Sequence, residues 1–222
     1  MKSVMKAIRE PNQERSIEKK NKIIDASYEI FSEAGYYGTN TTDIAKRAGV
    51  STGIVYSYFK DKRDILLYVL NIYIDKVAEP VLACVNELSA PINYPAFIDK
   101  ILNLAIKLHK ENAHLHNALH SLTSSDKAVG DEFIRLEDVI TKAVIAKFKE
   151  LNIAGEHLTE KVHLSMNLIQ SYSHEVTFDK HDYINYPAMK AEVEQIITGL
   201  FENQRVADSG QKSECDNPCP PC

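Results

Sequence analysis

One stretch limits what this chain can become: Thr41 to Phe59, TTDIAKRAGVSTGIVYSYF. It reads as two short helices around a tight turn. Thr42 is the expected N-cap of the first, its side-chain oxygen placed to accept amide protons of the first turn. Ile44, Ala45 and Ala48 then make an apolar stripe too short to bury itself alone. Gly49 follows where a helix end calls for left-handed backbone, a conformation that penalises any residue with a Cβ. Val50 is expected to pack inward. Ser51 or Thr52 should cap the second helix, which carries Ile54, Val55, Tyr56, Tyr58 and Phe59. Helix, glycine turn and capped second helix form the helix-turn-helix pattern, whose second helix can lie in a DNA major groove.

Val55 and Phe59, four apart, are expected to face the core. That directs Thr52, Gly53, Ile54, Tyr56 and Tyr58 toward solvent with no charge among them. Hydroxyls bond phosphates and base edges, glycine permits close backbone approach, and an Ile or Thr methyl meets a thymine methyl. The competing reading makes the two tyrosines half-buried core. The flank of Lys46, Arg47, Lys60, Lys62 and Arg63 favours the nucleic-acid reading. On that reading Thr42, Tyr56, Tyr58 and Lys62 hold phosphates, while Thr52, Gly53 and Ile54 face bases.

The segment TTDIAKRAGVSTGIVYSYFKDKRDIL resembles the DNA-binding domain of the TetR family of one-component transcriptional regulators. Ile44, Ala45, Ala48, Gly49, Val50, Ser51, Gly53, Tyr56, Tyr58, Phe59, Lys62 and Leu66 carry the resemblance. An upstream run fits as well, at Ile23 or Ile24, Ala26 or Ser27, Phe31, Gly35 and Tyr36. Ile54 departs from the pattern, standing where many members carry Thr. The resemblance covers about the first 70 residues. It implies about nine helices in all, and a variable ligand domain over the remaining two thirds, where no motif is assignable.

The rest of the chain agrees with an all-α fold. Of 222 residues 44% are apolar, enough for a packed core, and only eight are Gly and eight Pro among long stretches of helix formers. Residues 1–14 read as a flexible basic arm with Lys2, Lys6 and Arg9, and residues 15–62 as the DNA-binding head. Residues 63–204 read as a helical ligand-binding and dimerisation body, and residues 205–222 as a disordered tail. Lys62 opens a helix of about 25 residues, about 38 Å long, a natural lever between head and body with Pro80 as an expected kink. Body helices are expected over Tyr94–Lys110, Ala113–Leu122, Asp126 or Asp131 to Leu151, Thr159–Phe178 with Thr159 as cap, and Pro187–Asn203. Charge divides unevenly: residues 1–70 hold 12 Lys or Arg against 9 Asp or Glu, and the remainder 14 against 22. A mildly basic head on an acidic body suits presentation of one end to a polyanion.

Three constellations in the body carry possible chemistry. His109, His114, His116 and His120 include one i, i+4 pair, the spacing of metal ligands on a helix, but no nearby Cys completes a site. Pocket groups, metal ligands and plain core or solvated histidines all remain open for them. His163, Asn167, Ser171 and His174 form a polar, uncharged stripe suited to a pocket wall or subunit seam, opposite Val162, Met166, Ile169 and Val176. With Met189, Val193, Ile196, Ile197 and Leu200 of the last helix, that helix is the expected dimer seam. Cys215, Cys219 and Cys222 offer three thiols, one short of a closed tetrahedral site, and Cys84 reads as a small core residue.

No phosphate-cradling glycine loop, nucleophile elbow or paired Glu-x-x-His is present, so an enzyme is not expected and neither is a cofactor or resident metal. No apolar run has transmembrane length and the start lacks a signal segment, which predicts a cytoplasmic protein with no membrane partner. The reading is a homodimeric regulator, a repressor released from double-stranded palindromic operator DNA by a small hydrophobic effector. Phe97, Ile101, His116, His120 and Tyr172 are the expected effector contacts. The alternative is an activator, or a metal or redox sensor of the same fold.

Overall fold

The computed structural model describes residues 14–202. The basic arm with Lys2, Lys6 and Arg9, and the tail with Cys215, Cys219 and Cys222, lie outside the described residues. Within them the chain forms nine α-helices: α1 Glu14–Ala34, α2 Thr41–Ala48, α3 Thr52–Tyr58, α4 Lys62–Asn86, α5 Tyr94–Glu111, α6 Ala113–Leu122, α7 Lys127–Glu150, α8 Leu158–Phe178 and α9 Tyr186–Phe201. Every expected helix is present, with ends within two residues of the sequence-based bounds once α7 takes the earlier of its two expected starts, Asp126 and not Asp131. α4 continues through Pro80 as one helix. No described helix is long and apolar enough to cross a membrane.

Two expected caps are corrected. Asn40, not Thr42, caps α2: its Oδ1 accepts from the Thr42 and Asp43 amides while the Asp43 carboxylate accepts from the Asn40 amide. This reciprocal box satisfies several orphan donors at once and places Thr42 inside the first turn, exposed. Thr159 does not cap α8; the helix starts one residue earlier, behind His157 in left-handed backbone with φ 57° and without a side-chain cap bond. At the other end of α2, Gly49 takes φ 67° and the Val50 amide donates to the Ala45 carbonyl at 3.0 Å, which closes the turn.

Two cores organise the packing. The larger joins Ile23 and Phe31 of α1, Ile44 of α2 and Val55 of α3 to Ile65, Leu66 and Leu70 of α4, and runs on into Leu115 and Leu119 of α6 and Val129 of α7. Head and lever therefore share one core with α6 and α7. The second gathers Ile98 and Leu102 of α5, Phe148 of α7, Val162 and Tyr172 of α8, and Val193 and Ile197 of α9. Polar bonds lock head to body across the first core. Tyr28 Oη donates to Asn112 Oδ1 at 2.8 Å, and Arg63 grips the Asp126 carboxylate through Nε and Nη2 at 2.5 and 2.8 Å. Asp126 also caps α7, so that one carboxylate holds a helix start to the lever.

Candidate nucleic-acid interface and body cavity

α3 lies against α2, with Val55 and Phe59 turned into the core as the spacing predicts. Its outer face presents Gly53, which is exposed, Thr52, which is partly so, and Tyr56, which is 48% exposed. Tyr56 Oη lies 3.0 Å from Thr41 Oγ1, a bond that fixes the phenol at the joint of the two helices. Exposed Thr42 belongs to the same outer surface of the head. Gly53 has open space where a Cβ would stand: the nearest atom is Ser51 Oγ at 3.9 Å.

Three of the expected DNA contacts are placed otherwise. Tyr58 is 5% exposed and its hydroxyl pairs with Ser16 Oγ of α1 at 2.8 Å, so it is a core residue and offers nothing outward. Ile54 is half-buried against the head core. Lys62 points inward: Nζ donates to the Tyr36 and Thr39 carbonyls, each at 2.7 Å, and stands 4.2 Å above the Tyr36 ring. Burial lowers the Lys62 ammonium from its ordinary value, the direction desolvation gives. Lys62 thus ties the turn before α2 to the start of α4 instead of reaching for phosphate. Lys62→Met keeps the stem and deletes the charge; it should lower unfolding free energy by about 2 kcal/mol in urea titrations, because two part-buried carbonyls lose a charged donor.

The basic flank is correspondingly thinner than expected. Arg47 forks onto Glu33 and also reaches Glu29, and its guanidinium holds the Glu33 carboxyl below the usual range. Arg63 is committed to Asp126. Of the five flanking cations, Lys46 and Lys60 stand exposed on the head.

In the body a cavity of about 200 Å³ opens between α4, α5, α6, α7, α8 and α9. Phe97, Ile101, His116 and His120 line it as expected; Tyr172 does not, being buried in the second core with its hydroxyl on the Tyr186 carbonyl at 3.2 Å. One part of the cavity wall is aliphatic and aromatic, with Tyr94 and Phe148 packed on Phe201. Another is built of imidazoles. His116 packs between His109 and His120, with ring centroids 4.2 and 4.1 Å away and the planes tilted by 53° and 40°, and His174 of α8 approaches all three at 5.8–6.4 Å. His114 is exposed and takes no part.

The sequence groups His109, His116 and His120 but places His174 in a separate stripe, and nothing local shows that Tyr73 of α4 bonds His116 Nδ1 at 2.5 Å. Burial, reinforced by the neighbouring imidazoles, pushes His116 down to about 2 and His120 down to about 4, and lowers His109 in the same direction. These rings are neutral at physiological pH. Among the described residues no group of three or more His, Cys, Asp or Glu side chains is arranged to hold a metal ion.

The expected seam divides. Val193 and Ile197 are buried in the second core, whereas Leu164 of α8 and Ile196 of α9 are 55% and 53% exposed, beside exposed His163, Asn167 and Ser171. Gly199 lies on the same exposed side of α9.

Residues 23–69 match the bacterial regulatory proteins, tetR family. The HTH-type transcriptional regulator HbdR of Aromatoleum sp. (strain CIB) is 40% identical over 75 residues, 34% of this chain and 33% of that protein. The fatty acid metabolism regulator protein of Bacillus subtilis (strain 168) is 51% identical over 45 residues, 20% of this chain and 23% of its own length. The chain thus spans about a third or less of the curated relatives it matches. A putative TetR-family transcriptional regulator from Mesorhizobium loti MAFF303099 shares the fold over 85% of this chain and 97% of its own, with TM-score 0.64 and 20% identity.

Proposed function

We infer that this chain, a member of the tetR family of bacterial regulatory proteins through its residues 23–69, is a DNA-binding transcriptional regulator that answers to a small apolar effector. The observation that carries this is the outer face of α3: an exposed glycine, a braced tyrosine and a threonine, free of charge, on a packed three-helix head. Thr52 and Gly53 face bases, with half-buried Ile54 at the margin, and Thr42 and Tyr56 hold phosphates. Two copies, joined along α8 and α9 through Leu164, Ile196 and the open surface at Gly199, would read half-sites roughly 34–36 Å apart or a multiple of that.

Release follows from the connections between cavity and head. An effector touching His116 touches the partner of Tyr73, which sits on the lever, and α6 is bonded to α1 through Asn112 and Tyr28. Differential binding to two lever positions would lower operator affinity and make the protein a repressor. The metal-sensing alternative lacks a ligand set among the described residues.

The test is a salt series of binding to the DNA upstream of the protein's own gene against a random duplex. Tight, selective binding with a steep salt slope is expected. Tyr56→Phe, which keeps the ring and removes the hydroxyl, should weaken binding to every sequence about tenfold, as loss of one hydrogen bond to a charged group does. Changes at Thr52 should instead relax preference at one base position. Unchanged affinity in both variants sinks the placement of α3 in the groove.

A further inference from the structure

The geometry points to an uncharged apolar molecule ending in a hydroxyl as the occupant of the body cavity, its oxygen shared between His109 and His116. The assignment rests on the effector reading above and deepens it. His109 is 6% exposed and His116 1%, and the Nε2 atom of each is buried with no hydrogen-bond partner among the described residues, although both rings line the cavity. Orphaned buried polar atoms are rare and costly, and two of them 4.2 Å apart ring to ring call for a partner that meets both.

Which partner is decided by the protons. His109 Nδ1 lies 2.7 Å from the Ala105 carbonyl, which can only accept, so Nδ1 carries the proton and Nε2 presents a lone pair. His116 Nδ1 lies 2.5 Å from Tyr73 Oη. A phenol is the stronger donor and an imidazole nitrogen the stronger acceptor, so Tyr73 donates, and the proton of His116 stands on Nε2. The cavity wall thus offers one acceptor and one donor on adjoining rings. A hydroxyl supplies the complement, donating to His109 Nε2 and accepting from His116 Nε2–H. A carboxylate has no proton for His109, and a quaternary ammonium can neither donate nor accept. The carboxylate also lacks a counter-charge: Glu137 is the one charged side chain among the described residues lining the cavity, so an anion is repelled. The remainder of the wall, with Phe97, Ile101 and Phe148, takes an alkyl or aryl body.

Calorimetric titration of the full-length protein, without DNA, with octanol, octyl methyl ether, octanoate and octyltrimethylammonium tests this at pH 7.5 in two buffers of different ionisation enthalpy. Octanol should bind about tenfold tighter than its methyl ether, which cannot donate, and at least tenfold tighter than either ion. Its binding enthalpy should be the same in both buffers, because no proton is taken up. His109→Leu should erase the preference for octanol over the ether while still binding the ether, which separates loss of the acceptor from loss of the fold. Tighter binding of octanoate with proton uptake, tighter binding of the ammonium, equal affinities for octanol and ether, or no binding at all each overturns the assignment. Operator binding by the unliganded protein, measured separately, reports on the regulator reading alone.

Discussion

Between pH 7 and pH 5 the folded chain should lose about 4 kcal/mol of stability, most of it contributed by His116 and His120. In the unfolded chain each imidazole takes a proton near pH 6.5, whereas in the fold burial and the adjoining rings hold His116 to about 2 and His120 to about 4. Below 6.5 the unfolded state therefore binds more protons, and unfolding is favoured by up to about 1.4 kcal/mol per pH unit for each ring. Stability is full above 6.5 and falls as pH drops; the His120 contribution stops growing near 4, while that of His116 continues below. His109 acts in the same direction. The groups against the cluster come from several helices: Tyr73 of α4, His109 of α5 and His174 of α8, with Glu137 of α7 lining the same cavity. The carboxylates that Arg47, Arg63 and Lys190 hold low, Glu33, Asp126 and Asp99, titrate below this window and do not blur it. Urea midpoints at pH 7, 6 and 5 check the slope. A flat profile would mean the rings are hydrated and charge freely, and would also undermine the dry, neutral cavity wall.

Much of the fold was legible because helical periodicity and its punctuation are local. Gly35 and Gly49 end helices, Pro95 and Pro187 open them, and the apolar runs between have the right spacing. Legibility failed where a second element decides. Tyr58 stands three residues after Val55 and beside Phe59, so i, i+3 and i+4 together already place it on the buried arc; the pairing of Val55 with Phe59 alone missed that. Lys62 is drawn inward by the Tyr36 and Thr39 carbonyls, more than twenty residues away, which no local pattern shows. Thr42 was displaced as cap because Asn40 and Asp43 form a reciprocal box, a signal that was present at the right spacing and outweighs a lone hydroxyl. In the body, the grouping of His109, His116 and His120 was visible, but His174 joins them from α8, a helix distant in sequence. Tyr172 illustrates the converse: an aromatic on the right helix, turned toward α9 and Tyr186.

Replacing Gly53 should move stability and DNA affinity in opposite directions. A Cβ at this position meets nothing nearer than Ser51 Oγ at 3.9 Å, and the residue lies within α3. Glycine in a helix is costly because the unfolded chain gives up more freedom to order it, so Gly53→Ala should stabilise the head by about 0.5–1 kcal/mol. At Gly38 the opposite holds, since a Cβ there would stand 2.7 Å from the Ala34 carbonyl oxygen and the fold itself demands glycine. Nothing in the packing of the head asks for glycine at 53, yet the residue occupies the outer face of the helix assigned to the groove. On the proposed function, close approach of that backbone to the duplex is the reason. Gly53→Leu should therefore fold at least as well as the parent while losing operator affinity on the order of 10- to 100-fold, the size of one or two lost base contacts. Thermal melts and operator titrations on the same preparations read the two effects independently. Affinity that survives Gly53→Leu would turn that face of α3 away from the DNA, even with the helix-turn-helix intact.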